Sequence, residues 1–439
     1  MKKIIVLLLV AVMTLGLLAC GKTQTDKNNK DNNKVNTTKD TTKLDWSKGA
    51  AASDGKITLR FATWRGADEE LFEKLIAKFE KQYDWIDVDL EINSNESSYY
   101  SNMTADLLSN TAPDVFNVHP AYFNKYVQEG YIAPQEDFAY WEKYDENAKA
   151  ATTYNGKNYG FLANYNYFGF LYNKDIFSKE GIAVPTTPDE LIVAVNKLKK
   201  AGYGGVMVAG KTWGVAYGNA IMMNVLGSDK FSELKHKIDN GSITDITEFP
   251  GVEEGLKTMQ AYTDNDIYYK AYAGTDQTAG MSLFAQEKTA IIYGGTYMFG
   301  EKDVHFPGIN AGFFPIPTYA NTGISFAEGG EDFVINVNSD KLGAAKLFVE
   351  FIATSENLDE FNRKSMKLST ITDCTWKFDD IQTYVKDYGM AKEEFYNNEE
   401  YWSSGLSNIF TTIIYEGEDW QALNKVYRSK LEEFDLAAK

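Results

Sequence analysis

Residues Ile57 to Thr63 alternate apolar and polar side chains, the two-residue period of a half-buried strand. From Asp68 to Gln82 the apolar positions become Leu71, Phe72, Leu75, Ile76 and Phe79, one face of a helix. Strict alternation returns in Ile86–Ile92, a second strand, and Ser97–Ser109 reads as a helix carrying Met103, Leu107 and Leu108. Ala112-Pro113-Asp114 then turns into the strand Val115–Val118, and a helix with Tyr122, Phe123, Tyr126 and Val127 follows His119-Pro120. Strand–helix alternation of this kind predicts an α/β unit with a largely parallel sheet. Ligands sit beyond the carboxyl ends of such strands, which here are Trp64-Arg65 and His119-Pro120.

The pattern changes at Tyr154–Phe177. Two aromatic-rich strands, Asn158–Leu162 and Phe168–Asn173, flank the uncharged run Ala163–Tyr167, and a helical region follows. Paired extended segments leading from one compact unit into another predict a hinge. Further helices are expected at Pro188–Ala201, Val252–Tyr262, Lys341–Ala353 and Trp420–Phe434, with no internal repeat. At 439 residues the chain exceeds one ordinary core, so two domains are expected.

The N-terminus is set apart from the fold. Lys2 and Lys3 precede an apolar run, Ile4–Leu18, too short to span a bilayer, so residues 1–19 read as a signal peptide. The run ends in Leu17-Leu18-Ala19-Cys20-Gly21, which resembles the lipobox of bacterial lipoproteins; the resemblance implies lipidation of Cys20 and anchoring on the outer face of the cell membrane. Residues 20–54 then form a flexible tether rich in Asn, Thr, Lys and Asp. Cys374 is left without an intrachain partner and reads as a small buried hydrophobe. The formal net charge of −18 opposes binding to nucleic acid.

Three stretches carry a family resemblance: TWRGADEELFEKLIAKFEKQYDWIDVDLEI, TAPDVFNVHPAYFNKYVQEGYIAPQEDF, and YNGKNYGF followed by FLYNKDIFSKEGIAVPTTPDEL. With Phe284–Tyr297 and Gly329–Ser339, they resemble the extracellular solute-binding proteins of carbohydrate ABC transporters, the maltose-binding-protein-like family 1. The resemblance implies an α/β, class II periplasmic-binding-protein-like fold of two lobes with a ligand cleft between them. It places the first lobe at 55–162 plus 322–365 and the second at 163–321 plus 366–439, with crossings near Ala163, Tyr319 and Ser365. It also implies a monomer that needs no cofactor or metal and hands a sugar to the transmembrane permease subunits. Two departures stand out: Phe161-Leu162-Ala163 lacks the family's proline before the hinge, and Pro185–Glu190 lacks its Trp.

A sugar presents C–H faces and hydroxyl edges, so its site needs aromatic plates and planar polar side chains. The aromatic share is 14%, led by 28 Tyr, which suits such a site. Trp64 and Arg65 end the first strand and His119 the third, whereas Asp114 reads as a turn cap. Asn164, Tyr165 and Asn166 line the expected crossing. Trp213, with Tyr217, lies among glycines and reads as an exposed loop plate. Tyr297 follows a glycine pair where the family commonly presents an aromatic residue, Glu331 and Asp332 follow another pair, and Trp402 sits in a late loop.

Other readings stay open at this point. One is the same fold holding a polyamine or peptide, another a secreted glycan-acting enzyme using paired carboxylates, and a third a surface adhesin or regulatory lipoprotein with a degenerate cleft. Against an enzyme, the chain has no Gly-x-Ser-x-Gly, no His-Glu-x-x-His, no phosphate-binding loop and no Cys/His cluster.

Overall fold

The computed structural model describes residues 44–239, 242, 243, 245–385, 387–390, 407–422, 425 and 429. The amino-terminal half of the first lobe follows the hydrophobic pattern. Strand β1 (Ile57–Thr63) leads to helix α1 (Glu69–Gln82), β2 (Ile86–Ile92), helix α2 (Glu96–Ser109), β3 (Val115–Val118) and helix α3 (Pro120–Gln128). On α1 the residues Phe72, Leu75, Ile76 and Phe79 are buried. The ring of Phe61 in β1 meets Phe72, Phe333 and Phe348 at centroid distances of 5.4, 5.6 and 5.3 Å. Truncating such a ring to Ala costs about 3–5 kcal/mol.

After a short antiparallel pair, β4 (Thr153–Tyr154) and β5 (Lys157–Asn158), come β6 (Phe161–Leu162) and β7 (Asn164–Asn173). The second lobe adds β8 (Ile291–Gly295), β9 (Ala311–Phe314) and β10 (Ile324–Gly329); β11 (Asp332–Ile335), β12 (Leu368–Ser369) and β13 (Asp387–Met390) complete the described strands. The first sheet runs β2-β1-β3-β11-β6. Its β1–β3 part is parallel, while β11 is antiparallel to both β3 and β6. The second sheet is organised around β7, which pairs antiparallel with β8, β9, β10 and β12. The result is the two-lobe α/β architecture of solute-binding proteins.

The chain passes between the sheets at single points. Ala163 alone separates β6 from β7, so Asn164–Tyr167, expected as an open crossing, is strand: Tyr165 pairs with Leu368 and Gly329, and Asn166 with Glu328. The uncharged run finds ladder partners for its backbone, which favours pairing over a solvated loop. A crossing near Tyr319 is likewise displaced. Ile324–Gly329 stays in the second sheet through Phe326–Phe168 and Gly329–Tyr165 pairing, and the chain changes sheet at Gly330-Glu331. A third passage, Met366-Lys367, joins the helix Ser355–Ser365 to β12.

Local caps agree with the sequence. Pro188 opens a helix at its first turn, with Thr187 and Glu190 forming a capping box. Asp114 accepts from the Arg60 N–H, from Ser339 Oγ and from Lys341 Nζ, a structural role as expected. Cys374 is buried, its thiol pushed up to about 11 by burial. Among the described residues no helix is long and apolar enough to cross a membrane.

Candidate functional site

A cavity of about 600 Å³ opens at the carboxyl ends of β1 and β3 and reaches the end of β8 in the second lobe. On the first-lobe side Trp64 packs against Tyr99, Tyr100 and His119, with ring centroids 5.7, 5.6 and 6.4 Å away. The Tyr100 hydroxyl accepts the His119 N–H at 2.7 Å. The His119 imidazole Nε2 lies 3.1 Å from Glu328 Oε1. Burial pushes its pKa down, but the hydrogen bond and charge of Glu328, with Glu96 and Asp332 adding, outweigh it, so the net shift is upward.

Arg65 is the best-held group in the cavity. Its Nε donates to Asp68 at 3.0 Å and lies 3.0 Å from Glu331 Oε1, and one terminal nitrogen is 3.5 Å from Glu301. Burial would lower its pKa, but Asp68, Glu331 and Glu301 together raise it, so the guanidinium stays charged. Beneath it, the Lys367 ammonium contacts Asp68 at 2.8 Å and also Glu331.

The second-lobe side is aromatic. Phe168 comes from β7, Trp213 from the first turn of the helical stretch Gly210–Asp239, which Gly227 breaks into two helices, and Tyr297 from the turn after β8. Phe168 meets Trp213 edge-on at 5.6 Å and Tyr297 at 6.3 Å. The Tyr297 hydroxyl accepts from Gln277 Nε2 at 2.9 Å. Gly295 explains one of the paired glycines: a Cβ there would stand 2.6 Å from the Tyr297 ring. Glu301 also lies 3.4 Å from His305.

The cavity brings together Trp64, Arg65, His119, Asn166, Trp213, Tyr297 and Glu331. Trp213 is half-buried on a helix, not on a loop; the glycines around it serve close packing, since a Cβ on Gly210 would meet the Ala273 backbone at 2.7 Å and one on Gly218 would meet Phe410 at 2.6 Å. Asn164 lies below the floor, donating to Glu331 at 2.8 Å and to Asn362 at 3.2 Å. Tyr165 points the other way and donates to Asp145, as strand alternation requires. Tyr217 is fully buried among Phe170, Tyr268 and Tyr293, and Asp332 is buried in the first sheet, its carboxyl pushed up to about 8 by burial against the pull of His119. Trp402 and Cys20 lie outside the described residues.

Sequence reasoning passes over Phe168, Gln277, Glu301, His305 and Glu328, which also line the cavity. Two signals point to them. Glu328 is the only charged position in the strand Ile324–Gly329, and Tyr297, Glu301 and His305 recur every fourth residue. The arrangement offers aromatic faces beside carboxylate, imidazole and amide groups in one concave space, the usual composition of a small-molecule site.

The profile of a family described as bacterial extracellular solute-binding protein matches residues 64–358. The chain is 27% identical over 378 residues to the melibiose/raffinose/stachyose-binding protein MelE of Bacillus subtilis (strain 168), covering 83% of this chain and 86% of that protein. Its fold is similar to the apo form of RafE from Streptococcus pneumoniae, with a TM-score of 0.72 at 18% identity over 85% of this chain and 97% of that one. RafE in complex with raffinose gives a TM-score of 0.69 at 18% identity, covering 85% of this chain and 98% of that one.

Proposed function

Because the chain belongs to the bacterial extracellular solute-binding protein family, we propose that it is the substrate-binding component of an ABC importer, capturing an oligosaccharide in the cleft and delivering it to the permease. The observation that carries this reading is the wall of Phe168, Trp213 and Tyr297 facing paired polar groups across one cavity, aromatic faces for sugar C–H surfaces beside acceptors for hydroxyls. The ligands for which MelE is named, melibiose, raffinose and stachyose, make α-galactosyl sugars the first class to test. The chain acts as a monomeric binder, not an enzyme, and is held by lipid on Cys20 at the outer face of the membrane. Its lobes comprise about 55–162 with 322–365 and about 163–321 with 366–439, apart from β10, which pairs into the second sheet. Ligand bridging both walls favours the closed arrangement by its differential affinity for it.

A cationic ligand such as a polyamine is the second reading, favoured by Glu96, Glu301, Glu328 and Glu331 on the cavity surface. Thermal unfolding of the lipid-free mature protein against saccharides, peptides and polyamines separates the two. A ligand at 100 times its Kd adds about 2.7 kcal/mol, a shift of a few degrees. A response to polyamines alone, or to nothing, overturns the sugar reading.

A further inference from the structure

We propose that Lys367 is a positioning residue for the cleft: from beneath its floor, without reaching the cavity, it pins Glu331 and Asp68 and through them aims Arg65 at the ligand. The three passages between the sheets described above converge here. The first supplies Asn164, the second Glu331 and the third Lys367. Glu331 is the meeting point: Oε2 accepts from Asn164 Nδ2, while Oε1 faces both Lys367 Nζ and Arg65 Nε. Asp68 Oδ2 is shared in the same way between Lys367 and Arg65.

Lys367 is itself immobilised. Its side chain is 0% exposed, its ammonium lies 5.6 Å from the Phe361 ring centre, and its N–H donates to the Asn362 carbonyl behind Met366, whose φ is +56°. It does not line the cavity, whereas Arg65 and Glu331 do. Without the ammonium, Asp68 loses its contact from below and Glu331 keeps only Asn164 there, so the acceptors that fix the Arg65 Nε loosen and the guanidinium is free to turn towards Glu301, which approaches from the opposite wall at 3.5 Å. The direction of the cavity's arginine is thus set by a residue the ligand does not meet.

The test compares Asp68→Asn with Asp68→Asn/Lys367→Met in the mature chain. The double change removes one cation and one carboxylate together, so it leaves no unpaired buried charge and is the variant expected to fold. Exchange of the Arg65 Nε–H with solvent is followed by 15N NMR, the signal being assigned by its loss in Arg65→Lys, and raffinose affinity is followed by calorimetry. With Lys367 present, Asp68→Asn keeps Arg65 pinned through Glu331. Its loss in the double variant speeds Nε–H exchange and weakens raffinose binding, each about tenfold, at a similar unfolding temperature. Lys367→Gln in the same background retains a donor to Glu331 and falls between them.

Equal exchange and affinity in the single and double variants would overturn the proposal and leave Lys367 a purely structural cation. So would a double variant that does not fold while Asp68→Asn/Lys367→Gln folds with Arg65 as well held as in Asp68→Asn. The affinity arm rests on the sugar-binding reading, whereas the exchange arm does not. A wild-type protein that ignores raffinose, with the exchange difference between the two variants intact, therefore refutes the ligand and keeps the positioning role.

Discussion

The two walls of the cleft hold their side chains by different means. On the first-lobe wall the two basic groups are already engaged: Arg65 with Asp68 and Glu331, His119 with Glu328. On the second-lobe wall Phe168, Trp213 and Tyr297 hold one another by ring contacts, and Tyr297 adds one hydrogen bond from Gln277. A charge that is paired before the ligand arrives has less to gain from it, because contact must first disturb an existing partner. An aromatic face has no such prior commitment. If the cavity holds the sugar, the first wall is therefore expected to set shape and orientation, and the second to supply most of the contact energy.

The strongest way to break this contrast is to strip the aromatic wall. Trp213→Ala with Tyr297→Ala is expected to weaken saccharide binding by about 3 kcal/mol, roughly a hundredfold, in calorimetry. A loss below tenfold would mean that the charged wall carries the affinity. Arg65→Ala attacks the other wall and is expected to lower stability by about 2 kcal/mol in denaturant unfolding, since Asp68 and Glu331 are left to share the single Lys367 ammonium.

Asp332 sharpens the contrast from inside the first sheet. Its folded pKa, about 8, lies above its unfolded value, so the unfolded chain releases this proton first and stability falls as pH rises from about 4 towards 8. Asp332→Asn removes that slope and is expected to stabilise by about 1–3 kcal/mol at pH 8, leaving saccharide affinity unchanged. For His119 the raised group is a cation. The stability from its pairing is fully present below about 6.5 and fades as pH rises through the higher folded value. Replacing it with Gln is expected to cost about 1 kcal/mol at pH 6 and less at pH 9. Smallest of all is Tyr217→Phe: the buried hydroxyl makes no well-formed hydrogen bond, so stability and affinity both stay within about 0.5 kcal/mol of wild type.

How much of this is legible in the sequence follows the range of the forces involved. The run from β1 to α3 can be read because each element buries a face set by its own residues, as Phe72, Leu75, Ile76 and Phe79 do on α1. Trp64, Arg65 and His119 are legible for the same reason, as residues at strand ends. Trp213 reads as a loop residue because glycines suppress helix propensity, yet Gly210 and Gly218 are there to let Ala273 and Phe410 approach, a demand made by distant residues. In β7 the choice of Asn166 over its neighbours depends on which partner strands lie alongside, Glu328 opposite Asn166 and Leu368 opposite Tyr165. Of the cluster under the floor only Glu331 shows in the sequence, since Asp68 and Lys367 lie far from it in the chain and each resembles an ordinary surface charge.

The order of strands in the first sheet also fixes a sequence in time. Strand β11 lies between β3 and β6, and among the described residues β6 has no other partner in that sheet. As the chain emerges from the ribosome, β1, β2 and β3 appear early, but the strand that closes their edge arrives only after the whole stretch from β7 to β10. Until then β3 presents an open ladder, the kind of edge that recruits wrong partners. The amino-terminal part of the first lobe is consequently expected to need β11 before its sheet can close. A nascent chain halted before Asp332 would carry its amino-terminal lobe unfinished, its first-made strands waiting for one made long after them.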